Sequence, residues 1–311
     1  MTTLTPPSID TVGLLGFGEV GALFGNALVG QHLSVMAWDK LLADSAGNAA
    51  LQARAQQANV PLAASLADMC GRTGLGQLVI SAVTASNTLA AAEAAAPHMA
   101  PGSWYLDLNS ASPGTKKACA QVLEAVGVHY VEAGVMTSVP PYGLAVPMLL
   151  GGKRAHELAA ALNAWGCNAQ VASTSLGVAS AIKMCRSIMI KGLESLVVES
   201  YTTARSYGVE DQVLPTLAET FPSIDWSEQG RYFFSRVAQH GQRRAEEMQE
   251  SAVTVHEAGF EPIMASAIAN KQQWMANAKR DGVFTALPKD APWQAYADAL
   301  IAARLSQSEQ A

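Results

Sequence analysis

The chain has 311 residues, of which half are hydrophobic and 15% are charged, and its formal net charge is −6. This length favours two domains over a single core. The negative charge and the lack of a long basic run argue against a nucleic-acid surface, and every apolar stretch is interrupted before it could span a bilayer.

Cysteine and histidine spacing gives no sign of a metal site. No two cysteines form a C-x-x-C pair, and the six histidines show no metal-ligand spacing. Residues 1–7 lack the basic start and long apolar core of a secretory signal. We therefore expect a cytoplasmic protein that acts on a small molecule and holds four reduced, buried cysteines: Cys70, Cys119, Cys167 and Cys185.

The first predicted elements form a βαβ unit around a glycine pattern. An apolar strand runs into Gly16, Gly18 and Gly21, and an amphipathic helix over 20–29 and a buried strand over 33–38 follow. In such a unit the first glycine allows a tight turn, the second admits a pyrophosphate and the third permits close helix packing. The pattern predicts a dinucleotide site at the positive end of the helix, the alternative being a purely structural turn.

The residues after the second strand bear on the choice of cofactor. Asp39 follows Gly21 by 18 residues, where a carboxylate accepts a hydrogen bond from a ribose 2′-hydroxyl and repels a 2′-phosphate. Lys40 favours the opposite choice, because its ammonium is suited to that phosphate. We predict NAD, with NADP as the alternative. The predicted cofactor site comprises Gly16, Phe17, Gly18, Glu19, Val20, Asp39, Lys40, Val83, Thr84 and Asn109.

Strands and helices continue to alternate up to about residue 173. Apolar runs predict further strands, and alanine-rich or amphipathic segments predict the helices between them. We predict an α/β domain over residues 1–173, a Rossmann-type doubly wound sheet. Its further strands are expected at 60–63, 78–83, 104–107, 130–134, 146–150 and 168–172, and the loop 109–113 is expected to cap a helix over 115–126.

The rest of the chain is predicted to be helical. One long helix over 177–207 is apolar around most of its circumference, so we expect it to be buried on nearly all sides, between domains or between subunits. Residues 174–311 then form an all-α domain for substrate binding and dimerisation. Its other helices are predicted at 210–219, 227–239, 243–257 and 262–278, with a short last helix after Pro292 that frays from Ser306.

A polar stripe on the long helix carries the first candidate for chemistry. Lys183, Ser187 and Lys191 are spaced four residues apart, and Glu194 follows three further on, so all four share one face. A lysine in so apolar a helix is costly unless it is paired or used. In one interpretation Lys191 pairs with Glu194 and Lys183 reaches an edge. In the other Lys183 transfers protons, its pKa lowered by desolvation and by an oxidised nicotinamide.

Four blocks of sequence resemble the β-hydroxyacid dehydrogenase superfamily, the relatives of 6-phosphogluconate dehydrogenase. The first is the glycine block over 13–21, and DLNSASP over 107–113 resembles the family's D-x-S-T-x-x-P loop. EAGVMTS over 132–138 stands in place of D-A-P-V-S-G-G, and GVASAIKMCRS over 177–187 resembles G-x-G-x-x-x-K-x-x-x-N. The resemblance covers nearly the whole chain and suggests a divergent branch with an atypical C-terminal domain.

The resemblance implies roles for individual residues. The family's catalytic lysine falls on Lys183, and its substrate-binding positions fall on Met136, Thr137, Ser138 and Ser187 in place of serine, two glycines and asparagine. A later K-D-L block falls near residues 243–247 with glutamate at the lysine position. Either Arg244 or His240 would compensate there, the alternative being a solvated helix face.

The combined prediction is an NAD(P)-dependent dehydrogenase or reductase. Lys183 would exchange a proton with the substrate oxygen while hydride moves to or from the nicotinamide. The apolar loop 136–142 suggests a hydroxy acid or a bulkier, aromatic alcohol. Imine reduction is an alternative that the lysine disfavours, and a non-catalytic dinucleotide sensor or scaffold is another. The resemblance and the long apolar helix also imply a homodimer or higher homo-oligomer.

Overall fold

A computed structural model describes residues 6–71, 76–288 and 290–308. Residues 1–5 of the predicted polar leader and residues 309–311 of the predicted frayed tail lie outside these ranges. The chain divides into two compact units after Met184, eleven residues beyond the boundary predicted at 173. The division falls inside the long helix, whose first residues belong to the first unit.

The first unit is built on a seven-stranded sheet with the order β2-β1-β3-β4-β5-β6-β7. All neighbouring strands are parallel except β5 and β6, which are antiparallel. This arrangement confirms the predicted doubly wound sheet. The strands are β1 (Thr11–Leu15), β2 (Ser34–Trp38), β3 (Gln77–Ser81), β4 (Trp104–Asp107), β5 (His129–Val135), β6 (Pro147–Gly151) and β7 (Asn168–Ser173).

Helices connect these strands and cover the sheet, whose central strands are almost wholly buried. Ser112 caps α5, as the sequence predicts, because its hydroxyl accepts the N–H of Thr115. The helices are α1 (Glu19–Val29), α2 (Ser45–Ala58), α3 (Leu66–Cys70), α4 (Thr88–Ala95), α5 (Pro113–Ala125) and α6 (Ala155–Ala164), with 3₁₀ turns at Lys40–Ala43, Ala85–Asn87, Ala96–His98 and Gly143–Ala145.

Two local predictions in this unit differ from the structure. The strand predicted over 60–63 is a single bridge between Ala37 and Leu62, since Pro61 has no N–H with which to extend a ladder. The short helix α3 escaped prediction because its five residues are too few to show a helical period. Its Ser65 cap was the one local signal.

The second unit is helical. It consists of most of α7 (Val178–Tyr207) together with α8 (Glu210–Thr220), α9 (Trp226–Glu257), α10 (Ile263–Arg280) and α11 (Trp293–Ser308). An apolar cluster around Phe234, Trp293 and Tyr201 holds one part of it together, and a smaller cluster around Met248 and Ile268 holds another. No helix within the described ranges is long and apolar enough to cross a membrane.

The prediction of two helices over 227–239 and 243–257 was wrong, because α9 is continuous over 32 residues. Gly241 lies between the two predicted helices, yet it sits within α9 for a packing reason. A Cβ there would lie 2.8 Å from the carbonyl oxygen of Gln272 and 3.1 Å from the amide nitrogen of Ala276. The glycine therefore allows α10 to approach α9 closely. The last helix is also longer than predicted, at 16 residues.

The long helix α7 begins and ends as predicted, but its burial differs from the prediction. Ile182, Met189 and Leu196 are 41%, 74% and 59% exposed, and they recur every seven residues. An apolar helix face that one chain leaves uncovered explains why the hydropathy pattern indicated burial on nearly all sides. The hydropathy pattern reflects burial by the chain itself together with burial by any neighbouring molecule.

Candidate active site

The glycine loop joins the carboxyl end of β1 to the amino end of α1. Gly16 has a φ of +89°, and a Cβ on it would lie 2.7 Å from the carbonyl oxygen of Ala82, so the tight turn requires glycine. A Cβ on Gly21 would collide with the carbonyl oxygen of Gly16. Around Gly18, by contrast, a Cβ would meet nothing within 4 Å. Two glycines are thus needed by the fold itself, while Gly18 leaves open space at the helix N-terminus, where a pyrophosphate fits.

Asp39 holds this loop in shape. Its carboxylate accepts the backbone N–H of Phe17 at 2.8 Å through one oxygen and that of Leu41 at 3.0 Å through the other. The Phe17 side chain is fully buried, and its carbonyl accepts a hydrogen bond from Arg54 at 3.0 Å. Each carboxylate oxygen keeps a second acceptor position for a ribose hydroxyl. Of the other predicted loop residues, Glu19 is exposed and Val20 is half-buried at the start of α1.

Lys40 lies at the same edge of the sheet, on the loop that follows β2. Its ammonium donates to the side-chain oxygen of Asn87 at 2.9 Å, and the Asn87 amide donates to the hydroxyl of the exposed Thr84 at 2.6 Å. The loops after β2 and β3 are therefore joined by side chains next to the Asp39 carboxylate. This edge brings a positive and a negative group to the place where the ribose end of a dinucleotide binds in this fold.

Asn109 connects the loop after β4 to the loop after β3. Its amide oxygen accepts the N–H of Val83 at 2.7 Å, its amide nitrogen donates to Ser81 at 2.9 Å, and its own N–H donates to Asp107 at 2.9 Å. The side chain is 3% exposed. These bonds shape the loop and position Val83, so any contribution of Asn109 to the predicted cofactor site would be made through Val83.

Beneath this loop lies a buried carboxylate with three donors. Asp107 forms an ion pair with Lys116 at 2.8 Å and accepts the Tyr130 hydroxyl at 2.8 Å as well as the Asn109 N–H. Both charged side chains are almost fully buried. Burial and the Asp107 charge raise the pKa of Tyr130 well above its usual value, which keeps this phenol a donor. Sequence reasoning missed Lys116, because a lysine on an amphipathic helix is usually solvated.

Lys183 reaches this loop from the second turn of α7. Its Nζ donates to the Ser110 hydroxyl at 2.6 Å, and both side chains are half-buried. Ser110 directly follows Asn109, so the lysine stands at the carboxyl edge of the sheet, where ligands bind in doubly wound folds. Sequence reasoning did not select Ser110, although it occupies the threonine position of the D-x-S-T pattern.

The start of α7 is fixed by β5. The buried Glu132 carboxylate accepts the N–H groups of Gly177 at 2.7 Å and Ala179 at 3.3 Å, so it caps the helix at its positive end. A Cβ on Gly134 would lie 3.0 Å from the Ala179 carbonyl oxygen and 3.4 Å from the Lys183 Cβ. The glycine therefore allows the lysine-bearing turn to lie against β5. Both residues lie in the EAGVMTS block over 132–138, but sequence reasoning assigned neither of them a role.

The predicted substrate loop leaves the sheet just beyond this contact. Met136 follows Gly134 by two residues, and its N–H donates to the Pro147 carbonyl at 2.9 Å. Met136 and Ser138 are half-buried and Thr137 is exposed. The structure thus places this loop at the same edge as Lys183 within the first unit.

In the second unit the polar stripe of α7 has partners other than the expected ones. Lys191 forms an ion pair with Glu247 at 2.9 Å and donates to the buried Ser187 hydroxyl at 3.3 Å, whereas Glu194 pairs with Arg244. The interpretation that pairs Lys191 with Glu194 is therefore wrong. Residues three apart on one helix share a face, but here each charge meets a closer partner on α9.

The two residues suggested to compensate in the second unit are not on a solvated face. Arg244 is 5% exposed, and its guanidinium is engaged by Glu194. His240 is half-buried, and burial together with the charges of Arg243 and neighbouring basic groups lowers its pKa to about 4. At neutral pH His240 is uncharged, so it adds no positive charge for a ligand.

No cluster of histidine, cysteine, aspartate or glutamate in the described residues could hold a metal ion. Cys70, Cys119 and Cys167 are buried, and burial raises the pKa of each thiol to about 12, so they are unreactive. Cys185 is exposed, which corrects the expectation that all four cysteines are buried.

The glycine loop, the Asp39 carboxylate and the strand order are those of a dinucleotide-binding domain. A family model described as the NAD binding domain of 6-phosphogluconate dehydrogenase matches residues 11–170, and the chain belongs to this family. A second model, a domain of unknown function named DUF1932, matches residues 204–275. This second match agrees with the predicted atypical C-terminal domain.

Solved structures show the same fold over nearly the whole chain. A conserved hypothetical protein from Sinorhizobium meliloti 1021 is 34% identical, with 96% of each chain covered and a TM-score of 0.71. A conserved protein of unknown function, described as similar to 3-hydroxyacid dehydrogenases, is 30% identical over 88% of this chain and 99% of its own, with a TM-score of 0.65. The 3-hydroxyisobutyrate dehydrogenase of Mycobacterium tuberculosis is 17% identical over 94% of this chain and 99% of its own, with a TM-score of 0.65.

Substitution of Gly18 should separate cofactor binding from folding. In Gly18→Ala the methyl group enters the open space meant for the pyrophosphate, so NADH affinity should fall about tenfold or more, equivalent to at least ~1.4 kcal/mol. Fluorescence titration measures the affinity, and thermal unfolding should show an unchanged Tm. Gly21→Ala is the matched control, in which the Tm itself should fall. An unchanged NADH affinity in folded Gly18→Ala would contradict the assignment.

Proposed function

We propose that this protein is an NAD(P)-dependent oxidoreductase that interconverts a hydroxyl and a carbonyl group, with Lys183 as the proton-transfer group. The observation that carries this proposal is the 2.6 Å hydrogen bond from Lys183 to Ser110 at the carboxyl edge of the sheet. It holds an ammonium on the loop that adjoins the dinucleotide site. Family membership and the fold support the same reaction class.

The residues of this chain would handle the proton, while a bound nicotinamide supplies or accepts the hydride. In the oxidation direction Lys183 takes the proton of the substrate hydroxyl. In the reduction direction its ammonium faces the developing alkoxide, stabilises that charge and delivers the proton. Ser110 acts as a positioning residue, because its hydroxyl keeps the amine at the sheet edge in either protonation state. Asp107 and Lys116 hold Ser110 in turn through the loop.

We propose a substrate bulkier than a short 3-hydroxy acid. The loop 136–142 carries Met136 where the family has a carboxylate-binding serine, and Tyr142 on the same loop is 53% exposed. A thioether does not bind a carboxylate, but it packs well on aromatic groups. An aromatic alcohol or its carbonyl counterpart fits this loop better than a small anion does.

Two alternatives have less support. Imine reduction would use the same cofactor and the same sheet edge, yet the reaction does not need an amine poised for a hydroxyl proton. A dinucleotide sensor without turnover would not need Lys183 held against Ser110. Cyclic imines are therefore included in the substrate screen, and their turnover would support imine reduction.

Substitution of Lys183 tests the proposal directly. Lys183→Ala should lower kcat by about a hundredfold or more, the typical share of a positioned proton donor, while the NADH dissociation constant stays unchanged. The assay is a screen of hydroxy acids, aromatic alcohols, their carbonyl forms and cyclic imines with both cofactors. Lys153→Ala removes an exposed lysine from the same unit as a control. Unchanged turnover in Lys183→Ala would remove the residue from the mechanism.

We propose NAD as the preferred cofactor. The Asp39 carboxylate lies at the end of β2 and holds the glycine loop through two backbone N–H groups. Lys40 is engaged by Asn87, so part of its donor capacity is already used. A carboxylate about 4 Å from a 2′-phosphate costs about 1 kcal/mol in water and more at a protein surface. The repulsion between Asp39 and the 2′-phosphate should outweigh the attraction between that phosphate and the Lys40 ammonium.

Asp39→Asn should therefore shift the cofactor preference. The ratio of NADPH to NADH affinity should rise about tenfold, because the repelling charge is lost. The ratio is the relevant quantity, since any disturbance of the Phe17 loop affects both cofactors alike. Lys40→Met is the reciprocal variant and should lower NADPH affinity alone. A wild-type protein that binds NADPH more tightly than NADH would refute the proposed preference.

We further propose that the protein forms a homodimer through α7. Ile182, Met189 and Leu196 repeat every seven residues and are exposed, which is the spacing of a helix-packing seam. A second copy of this chain is the occupant that would cover this face, because each copy offers the same stripe and a two-fold axis pairs like with like.

Charged substitutions on this stripe should break the dimer. Met189→Glu combined with Leu196→Glu should convert a dimer into a monomer in sedimentation velocity, because paired seams would bury like charges. Phe260→Glu, at an exposed apolar residue outside α7, is the control and should leave the mass unchanged. A monomeric wild type at micromolar concentration would overturn the assignment.

A further inference from the structure

Ser187, Lys191 and Glu247 form a buried polar chain within the second unit. Lys191 Nζ lies 2.9 Å from a Glu247 carboxylate oxygen on α9 and 3.3 Å from the Ser187 hydroxyl on its own helix. Ser187 and Lys191 are 7% and 6% exposed. An ion pair therefore lies next to a serine for which the family resemblance implies a place in the substrate site.

The chemistry of these groups fixes the direction of the hydrogen bond. An ammonium has three donors and no acceptor, so Ser187 must accept from Lys191. The hydroxyl hydrogen of Ser187 is then directed away from Lys191. Ser187 follows Lys183 by four residues on α7, so its hydroxyl lies about one turn, roughly 6 Å, along the same helix face.

Stability alone is a weak reason for this arrangement. Replacing a buried ion pair by apolar side chains is often neutral or stabilising, and apolar residues such as Met248 and Ile268 already form a cluster in this unit. An apolar residue at 191 would extend such a cluster. The retained lysine thus points to a requirement for its donor group.

We propose that Lys191, held by Glu247, is a positioning residue that turns the Ser187 hydroxyl toward the substrate oxygen as a hydrogen-bond donor. The inference rests on the proposed function, and it assigns a donor role to Ser187, which stands at the asparagine position of the family motif. The family's lysine position near residues 243–247 carries a glutamate here, and Lys191 supplies a positive charge from α7.

The alternative is that the ion pair only clamps α7 to α9. An exchange of the two charges distinguishes these roles. Lys191→Glu alone sets two carboxylates against each other, and Glu247→Lys alone sets two ammonium groups against each other, so each should lower the Tm by several degrees. The double variant restores an ion pair with its polarity reversed, and its Tm should recover.

Turnover should respond differently from stability. In the double variant the carboxylate introduced at 191 can only accept, so it draws the Ser187 hydrogen away from the substrate. We expect kcat/KM to stay at least about tenfold below wild type despite the recovered Tm. Ser187→Ala should show a similar loss, and adding it to the double variant should cost little more. A double variant with wild-type kcat/KM would show a clamp and overturn the proposal.

A control on the same helix guards against general effects. Arg205 on α7 pairs with Asp298 and Glu210, and Arg205→Met should lower the Tm without changing kcat/KM. The activity arms use whichever substrate the wild type turns over fastest with NADH or NADPH.

A measurement without turnover keeps the inference separate from the proposed function. If the wild type acts on none of the screened compounds, the proposed function fails. The hydrogen bond is then tested by thermal unfolding of Ser187→Ala, Lys191→Met and their combination. Tm changes that do not add show that Lys191 holds Ser187 and support the arrangement. Strictly additive changes overturn it, whatever the enzyme does.

Discussion

The buried carboxylate of Asp107 is the constraint on which the candidate site depends. A charge with no access to water must be satisfied by donors, and Asp107 takes them from Lys116, Tyr130 and the backbone of Asn109. Removing one partner of such a pair typically costs about 3–5 kcal/mol, so the loop after β4 has little freedom. Because that loop also carries the Asn109 amide and Ser110, the same carboxylate sets the β3 loop and the anchor of Lys183.

A second anchor acts on the helix rather than on the loop. Glu132 accepts N–H groups at the start of α7, and Gly134 removes the side chain that would hold the helix away from β5. Lys183 is therefore held at two points. Its backbone lies against β5, and its ammonium is bound by Ser110. Such double support suits the proton transfer proposed for Lys183, because an amine on a flexible stem otherwise samples many rotamers and loses more entropy when it reacts.

Local patterns could predict the parts of the molecule that local chemistry determines. The βαβ unit, the three glycines and the length of α7 follow from turn geometry and hydrophobic period, and the structure has them as predicted. The predictions that were wrong concern residues whose contacts are distant in sequence. The predicted helices left Gly241 outside because nothing nearby in the sequence shows that Gln272 lies against it, and Lys191 seemed paired with Glu194 because Glu247 is 56 residues away. Lys116 could not be recognised as a site residue from the sequence, since only the fold shows that its face of α5 is buried. The site residues themselves remain predictions of role, although their positions are now defined.

The residues that differ from the family motifs are unevenly distributed between the predicted cofactor site and the predicted substrate site. The glycine loop, Asp39 and Lys183 match the family motifs, and in the structure Asp39 holds the glycine loop while Ser110 holds Lys183. The departures fall on Met136, Thr137, Ser138 and Ser187, which are the predicted substrate positions, and on a glutamate within residues 243–247. A cofactor site must fit one kind of ligand in every such protein, whereas a substrate site must fit its own ligand, so this distribution agrees with the proposed oxidoreductase acting on a substrate bulkier than a short 3-hydroxy acid.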